Sequence, residues 1–325
     1  MHKPAVRIAK LSSLAKINLD LRVLNKRDDG FHELRTVFQT ISLADTIQVE
    51  CKITKRTQLA LSGNVEIPDN LILRAARAVL DEAGVHATVN FHLIKKIPMG
   101  GGLGGGSSNA AAVLLALPIL IGHKVSVEKI AANLGSDVSF FLEGGTALAL
   151  GRGAELYSLP DLAGQPLLLA ASGIHVSTPA AYAALKLGLT FTGSSNKMRS
   201  FQGFVRALGE LRRADLACAL SENDFEKVVF RQFPRLKQIL GKLSKVSAAA
   251  RMTGSGSAIF GLFESEKARE RARKVLERDR VLEGCELFAA RLVSRRRYQR
   301  MWRRQLREHL APGDDLWPLQ SRYER

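Results

Sequence analysis

Fifteen consecutive residues concentrate the chemistry of this 325-residue chain: Pro98 to Ala112, PMGGGLGGGSSNAAA, with six glycines, two serines and an asparagine. Upstream, Val89, Phe91 and Leu93 alternate with Thr88, Asn90 and His92, the period-two pattern of a half-buried strand. Downstream, Ala110 to Leu117 is apolar and helix-favouring, with Ser107, Ser108 or Asn109 expected as its N-cap. Strand, glycine loop and helix N-terminus together suit an anion. Glycines admit close backbone approach, and the free N–H groups and dipole of a first helical turn attract negative charge. Residues 100–108 are therefore predicted to cradle phosphates. The plain alternative is a flexible linker, which would rarely be wedged between a clean strand and a capped helix. Formal patterns add little. Gly100, Gly102 and Gly105 satisfy G-x-G-x-x-G as any glycine run does, and no lysine follows for a Walker A loop. No second strand follows where a dinucleotide-binding unit would place it.

Other polar residues need elements to position them. Ile17, Leu19 and Leu21 alternate with Lys16, Asn18 and Asp20, which predicts a strand with one polar face. Read alone, such residues simply meet water. Asp28-Asp29-Gly30 is a turn signal joining two strands, and Phe31-His32 follow it. Strands are expected at Thr36 to Ile41 and Thr46 to Ile53, and helices at Leu71 to Ala83 and Ser126 to Leu134. Gly84 and Gly135 stop those helices, and Asp69 or Asn70 caps the first. Asp137, between Gly135 and Val138-Ser139-Phe140-Phe141, is either a partly enclosed acid or a turn cap. Ser177-Thr178-Pro179 opens an alanine-rich helix carrying Tyr182, and Met252 to Ser257 is a glycine-rich turn. Residues 1–10 are basic and carry no predicted element.

In this order the segments resemble the GHMP kinases, and within them the 4-diphosphocytidyl-2-C-methyl-D-erythritol kinase family. Pro98-x-Gly100-Gly101-Gly102-Leu103-Gly104-Gly105-Gly106-Ser107-Ser108-Asn109-Ala110 is similar to the central motif, and the matches run over about residues 12 to 290. The resemblance implies an α+β fold of two domains, 1–159 and 160–290, with the active site in the cleft between them. It implies ATP as phosphoryl donor, Mg2+, and a small alcohol substrate bearing a cytidine diphosphate. In its terms Asp137 is the catalytic base, with Lys16 beside it orienting the acid and steadying developing charge. Pro98, Met99, the loop Gly100 to Ser108, Asn70 and Lys95 meet the nucleotide. Asn18, Phe31, His32, Thr178 and Tyr182 meet the substrate, with Phe31 and Tyr182 on either side of the cytosine and His32 bonded to it. The pattern departs at two places: Phe31 stands where tyrosine is commoner, and Ser139 where proline is usual. Mevalonate or homoserine kinases would share Lys16, the loop and Asp137 without needing the Phe31, His32 and Tyr182 set.

Composition bounds the rest. The longest apolar run, Ala110 to Ile121, contains Pro118 and is too short to span a bilayer, and no secretory leader is expected. Cys51, Cys218 and Cys285 are isolated, without metal-ligand spacing or a disulfide framework, which suits a reducing cytoplasm. No carboxylate can be named as a metal ligand. The net charge is +17, of which the tail 291–325 contributes +6 through ten arginines and four acids. A basic body suits a polyanionic small molecule, and a non-catalytic nucleic-acid-binding protein is the competing class. In the tail Tyr298, Trp302, Leu306 and Leu310 lie four apart among arginines. That amphipathic helix is expected either to dock on the protein's own body or to meet a partner or an acidic surface.

Overall fold

The computed structural model describes residues 5–162, 164–185, 194–210, 222–312 and 317–323; Cys218 lies outside them. The chain opens with two long strands, β1 (Arg7–Lys26) and β2 (His32–Ile53), paired antiparallel across the Asp28 to Gly30 turn. Gly30 takes φ +82°, the left-handed conformation such a turn needs. The two strands predicted in 36–53 are one, and the strand predicted around Lys16 begins nine residues earlier, at Arg7. Arg7 to Lys10 are strand because Cys51 to Gln48 lie opposite them, a partner some forty residues away that local composition does not reveal.

β3 (Gln58–Gly63), α1 (Leu71–Ala83) and β4 (Ala87–Ile94) follow, then α2 (Gly105–Ile121), α3 (Val127–Leu134), α4 (Ser136–Glu143), β5 (Thr146–Gly151) and β6 (Glu155–Ser158). β2 is long enough to serve three neighbours. β1 covers one edge, while on the other Leu34–Gln39 pair with β5 and Thr46–Ile53 pair with β4. β3 extends the sheet in parallel beside β4, and β6 closes the far side. A second, antiparallel sheet has the order β10-β7-β9-β8. It is built from β7 (Pro166–Ala171), β8 (Ala249–Met252), β9 (Ile259–Leu262) and β10 (Glu286–Arg291). Its helices are α5 (Thr178–Ala184), α6 (Ser194–Glu210), α7 (Phe225–Gln232), α8 (Pro234–Val246) and α9 (Glu266–Leu276), and α10 (Arg295–Leu306) comes last.

α2 is the spine of the first core. Ala110 to Leu117 are buried on every side, between the first sheet and α1, α3 and α4. A helix apolar all round can only live in such a place. α1 is capped by Asn70, whose Oδ1 accepts from Ile72 N at 3.0 Å, and ends at Gly84 with φ +62°. α2 departs from expectation. It starts at Gly105 with Gly104 as its cap, so Ser107, Ser108 and Asn109 sit inside the helix. The side chains of Ser108 and Asn109 bond sideways to β1 instead. Ser108 Oγ donates to Leu14 O at 2.6 Å, and Ser13 Oγ lies 2.8 Å from Ser108 Oγ and 2.7 Å from Asn109 Oδ1.

α10 lays Tyr298, Trp302 and Leu306 into the same core, all at most 1% exposed. Tyr298 Oη donates to Phe141 O at 2.5 Å, and burial pushes that phenol's pKa far up. His309 Nε2 lies 2.8 Å from Ile8 O, and Ser321 Oγ donates to Ile119 O at 2.7 Å. Trp302 fills more of this core than any other side chain of α10. Trp302→Ala is expected to cost about 3–5 kcal/mol in urea unfolding, and a loss below about 1 kcal/mol would show that the tail is not part of the folded unit.

Candidate active site

A cleft of roughly 380 Å³ opens where the loops of the two sheets meet. Its floor is the glycine loop. Gly100, Gly102 and Gly104 take φ of +68°, +73° and +67°. Gly102 is the tightest of them: a Cβ there would stand 2.2 Å from Thr253 O. One on Gly104 would meet the Phe141 ring at 3.0 Å and Lys16 Cγ at 3.1 Å. Two backbone bonds sew the loop in place, Lys16 N to Leu103 O at 3.0 Å and Ala258 N to Gly101 O at 3.3 Å. The α2 ladder begins with Ser108 N donating to Gly104 O at 2.8 Å. The amides of Gly105, Gly106 and Ser107 precede it and are the unpaired donors of a helix start.

β1 supplies the charged centre. Its polar face is buried, not solvated: Lys16 and Asn18 are each 4% exposed. Lys16 Nζ donates to Asn18 Oδ1 at 2.8 Å and stands 3.4 Å from Asp137 Oδ2. Asn18 Nδ2 donates to Thr36 Oγ1 at 2.7 Å, and Thr253 Oγ1 lies 3.3 Å from Asn18 Oδ1 and 3.2 Å from Gly102 O. Asp137 sits in the first turn of α4, with its side chain 31% exposed toward the cleft. A hidden ammonium thus holds a carboxylate that remains reachable from the cleft. Such a pair can take a proton from a bound hydroxyl and steady the charge that forms.

The aromatic residues come together in a different way from the sequence expectation. Tyr182 stacks on His32, ring centroids 4.7 Å apart and planes at 24°, and meets the edge of Phe225 at 4.8 Å. Burial raises the Tyr182 hydroxyl to about 12, with the nearby Asp137 charge adding to it. Burial, then the Lys26 charge, lowers the His32 pKa below its usual value. Phe31 is instead 55% exposed, with the Arg152 guanidinium 4.3 Å from its ring centroid. Arg152 also bonds Asp29 at 2.7 Å, and that hydrogen bond leads the causes holding the Asp29 carboxyl down at about 2. Tyr182 and Thr178 line the cleft, and Phe31 and His32 stand outside its lining.

The remaining expected residues divide. Pro98 and Met99 line the cleft rim, Met99 largely exposed. Lys95 lines it too, its Nζ 2.5 Å from the buried carboxylate of Asp45, which also accepts from the Lys96 and Ile97 amides. Asn70 lies off the cleft, its Oδ1 spent on capping α1, in a neighbouring hollow that meets the cleft at Ile67. Ser108 is turned inward, so its hydroxyl anchors β1 and does not face the cleft. Thr178 Oγ1 pairs with Ser255 Oγ at 2.8 Å. Sequence reasoning missed Thr36 and Asp45, which hold Asn18 and Lys95, and marked Thr253 only as part of the glycine-rich turn Met252 to Ser257, where it holds Asn18 and the loop. Thr36 and Asp45 carry no local mark, since each acts through a partner distant in sequence.

Residues 70–145 match the GHMP kinases N terminal domain and residues 203–280 the GHMP kinases C terminal domain. The 4-diphosphocytidyl-2-C-methyl-D-erythritol kinase of Solibacter usitatus is 48% identical, covering 98% of each chain. That of Thermotoga maritima is 41% identical over 80% of this chain and 93% of its own. The first relative carries the likeness into most of the tail, beyond residue 290, where the motif matches had ended. A crystal structure of 4-(cytidine 5'-diphospho)-2C-methyl-D-erythritol kinase superposes with TM-score 0.71 at 34% identity, covering 87% of this chain and 98% of that one. A homoserine kinase from Cytophaga hutchinsonii, at TM-score 0.67 and 17% identity, shares the fold.

Two measurements check this geometry. Gly102→Ala is expected to lower stability by at least about 2 kcal/mol, because it combines positive φ with a clash against backbone. Gly106→Ala, whose Cβ would meet only Leu71 Cδ1 at 3.8 Å, should change it by less than about 1 kcal/mol. In an NMR titration the Asp29 carboxyl is expected to titrate at about 2 and to move up toward 3.8 in Arg152→Ala. The linkage has the usual carboxylate sign: the contact stabilises above the unfolded pKa and fades as pH falls through the folded one. An unmoved titration would remove Arg152 as the cause.

Proposed function

The chain belongs to the 4-diphosphocytidyl-2-C-methyl-D-erythritol kinase family of the GHMP kinases, and from that premise we infer how its cleft performs the reaction. The protein is an ATP-dependent kinase that phosphorylates the 2-hydroxyl of 4-diphosphocytidyl-2-C-methyl-D-erythritol in isoprenoid precursor synthesis. What carries the residue assignment is the Lys16–Asp137 pair, 3.4 Å apart beside the loop that starts α2.

Transfer of a phosphoryl group asks for alignment and charge stabilisation more than for covalent help. The amides at the start of α2 hold the ATP phosphates, and the positive φ of Gly100, Gly102 and Gly104 lets the backbone come close enough. The substrate hydroxyl gives its proton to the Asp137 carboxylate as its oxygen attacks the γ-phosphorus, and ADP leaves. Lys16, held by Asn18, keeps the carboxylate turned to that hydroxyl and offsets the negative charge gathering on the transferring oxygens. A bound Mg2+ would supply neutralisation of the nucleotide's phosphate charge. Among the described residues Asp137 is the only acidic side chain lining the cleft, which fits a cation held chiefly by the nucleotide's own oxygens.

The cytosine end falls to Tyr182, His32 and Phe31. A neutral His32, favoured by its lowered pKa, presents one ring donor and one acceptor, which suits the mixed edge of cytosine. Base stacking on Tyr182 requires the His32 ring to shift from its 4.7 Å contact, and Phe31 offers a second face once Arg152 moves off it. A cytoplasmic setting is part of this reading, and the free thiols of Cys51 and Cys285 support it.

Asp137→Asn keeps the shape and removes the base. We expect kcat to fall by roughly 10²- to 10⁴-fold with ATP binding retained. A loss of less than ten-fold would take the base role from Asp137. Turnover of mevalonate or homoserine in preference to the cytidine substrate would remove the base-reading set.

A further inference from the structure

A second concavity, none of whose lining residues belongs to the cleft, is left unused by the kinase reaction. α10 packs on β1, and the groove that it forms with β1 and β2 has a volume of about 660 Å³. Arg296, Arg297, Arg300 and Arg304 line one wall, and Ser12 and Ser42 add hydroxyls from the other. Among the described residues no acidic side chain lines it. Among the described residues none of these four arginines makes an ion pair or a side-chain hydrogen bond. Several arginines elsewhere are paired with acids, among them Arg22 with Asp20 and Glu222, Arg35 with Glu33, and Arg152 with Asp29.

Arg296, Arg300 and Arg304 are four apart and so share one face of α10. At 1.5 Å of rise per residue the row extends about 12 Å along the axis. Like charges at this spacing oppose helix formation. The helix cannot roll to spread them, because Tyr298, Trp302 and Leu306 lock its other face into the core. The row is therefore a fixed positive field, oriented before any ligand arrives. Guanidinium forks match phosphate oxygens in pairs, and neutralisation by a ligand would relieve the repulsion.

We propose that this groove is an anion site, distinct from the catalytic cleft, that takes a linear oligophosphate of three or more phosphates. A single phosphate would meet only part of the row, whereas an extended chain can answer each guanidinium in turn. The volume lies in the range of small-molecule sites. A membrane surface is disfavoured, since the apolar face that would insert is already buried. The concave wall is equally unlike the open stripe that tracks a nucleic-acid backbone.

The test is calorimetric titration of tripolyphosphate into the full chain at 150 mM salt, without Mg2+, with the cleft saturated by a non-hydrolysable ATP analogue. One tripolyphosphate should bind per chain, and at least ten-fold more weakly in the R300A/R304A double variant. Both positions are exposed, so the variant should melt no lower than wild type. Arg296→Glu, which reverses one charge of the row, provides a second and independent loss. If nucleotide is the source of the oligophosphate, wild type takes two analogue molecules per chain and R300A/R304A one. Absence of any such binding, or equal affinity in the variants, overturns the proposal. So does arginine-dependent binding of a short single-stranded RNA or of anionic vesicles that tripolyphosphate does not displace.

Discussion

The backbone bond from Lys16 N to Leu103 O is the constraint on which the cleft depends. It joins the strand that carries the ammonium to the loop that carries the free amides. Both parts are useless apart. The amides of a helix start attract any anion, and a buried lysine beside an aspartate is by itself only an ion pair. Held against each other, they would set an anion bound at the helix start beside the Asp137 carboxylate. Next to Leu103, Gly104 takes φ +67°, and a Cβ there would crowd the Phe141 ring at 3.0 Å and Lys16 Cγ at 3.1 Å.

The second sheet completes that arrangement from the far side. Thr253 reaches both Asn18 and Gly102, and a Cβ on Gly102 would stand 2.2 Å from Thr253 O while one on Gly254 would press on Gly102 Cα at 3.1 Å. Asn223 donates to Met252 O and Gly254 O at 2.8 Å each, and it bridges to Leu21 on β1. Asn223 thus ties β1 to the turn that faces the loop. Further along β1, Arg22 and Asp20 are both about 1% exposed and paired with each other. A charged pair so deep contributes little net stability but holds its strand to one placement.

The site was partly legible in the residues. The loop announced itself because glycine in such density has few other uses, and β4 and α1 showed their periods and caps. The apolar stripe of the tail was visible at four-residue spacing, though not the surface that buries it. Ser107, Ser108 and Asn109 misled for a physical reason. Short polar side chains are good caps when nothing else claims them, and here β1 claims Ser108 and Asn109. Lys16 and Asn18 looked like a solvated face because alternation tells which residues share a side, not whether that side is wet. Asn70 reads in the structure as the cap that local sequence already allowed.

The features legible in the residues alone are local: the cap and stop of α1, the tight turn at Gly30, and the stretch where a backbone can approach an anion. These follow from steric limits within a few residues of chain. The tertiary structure alone decided that Lys16, Thr36, Leu103, Asp137 and Thr253 converge, that Tyr182 lies on His32 while Phe31 stays outside, and that the arginines of α10 stand in a row. Those outcomes depend on long strands choosing partners across the chain and on two sheets closing over one another. Their energies come from burial shared by many residues, so no short stretch of sequence can carry their signature.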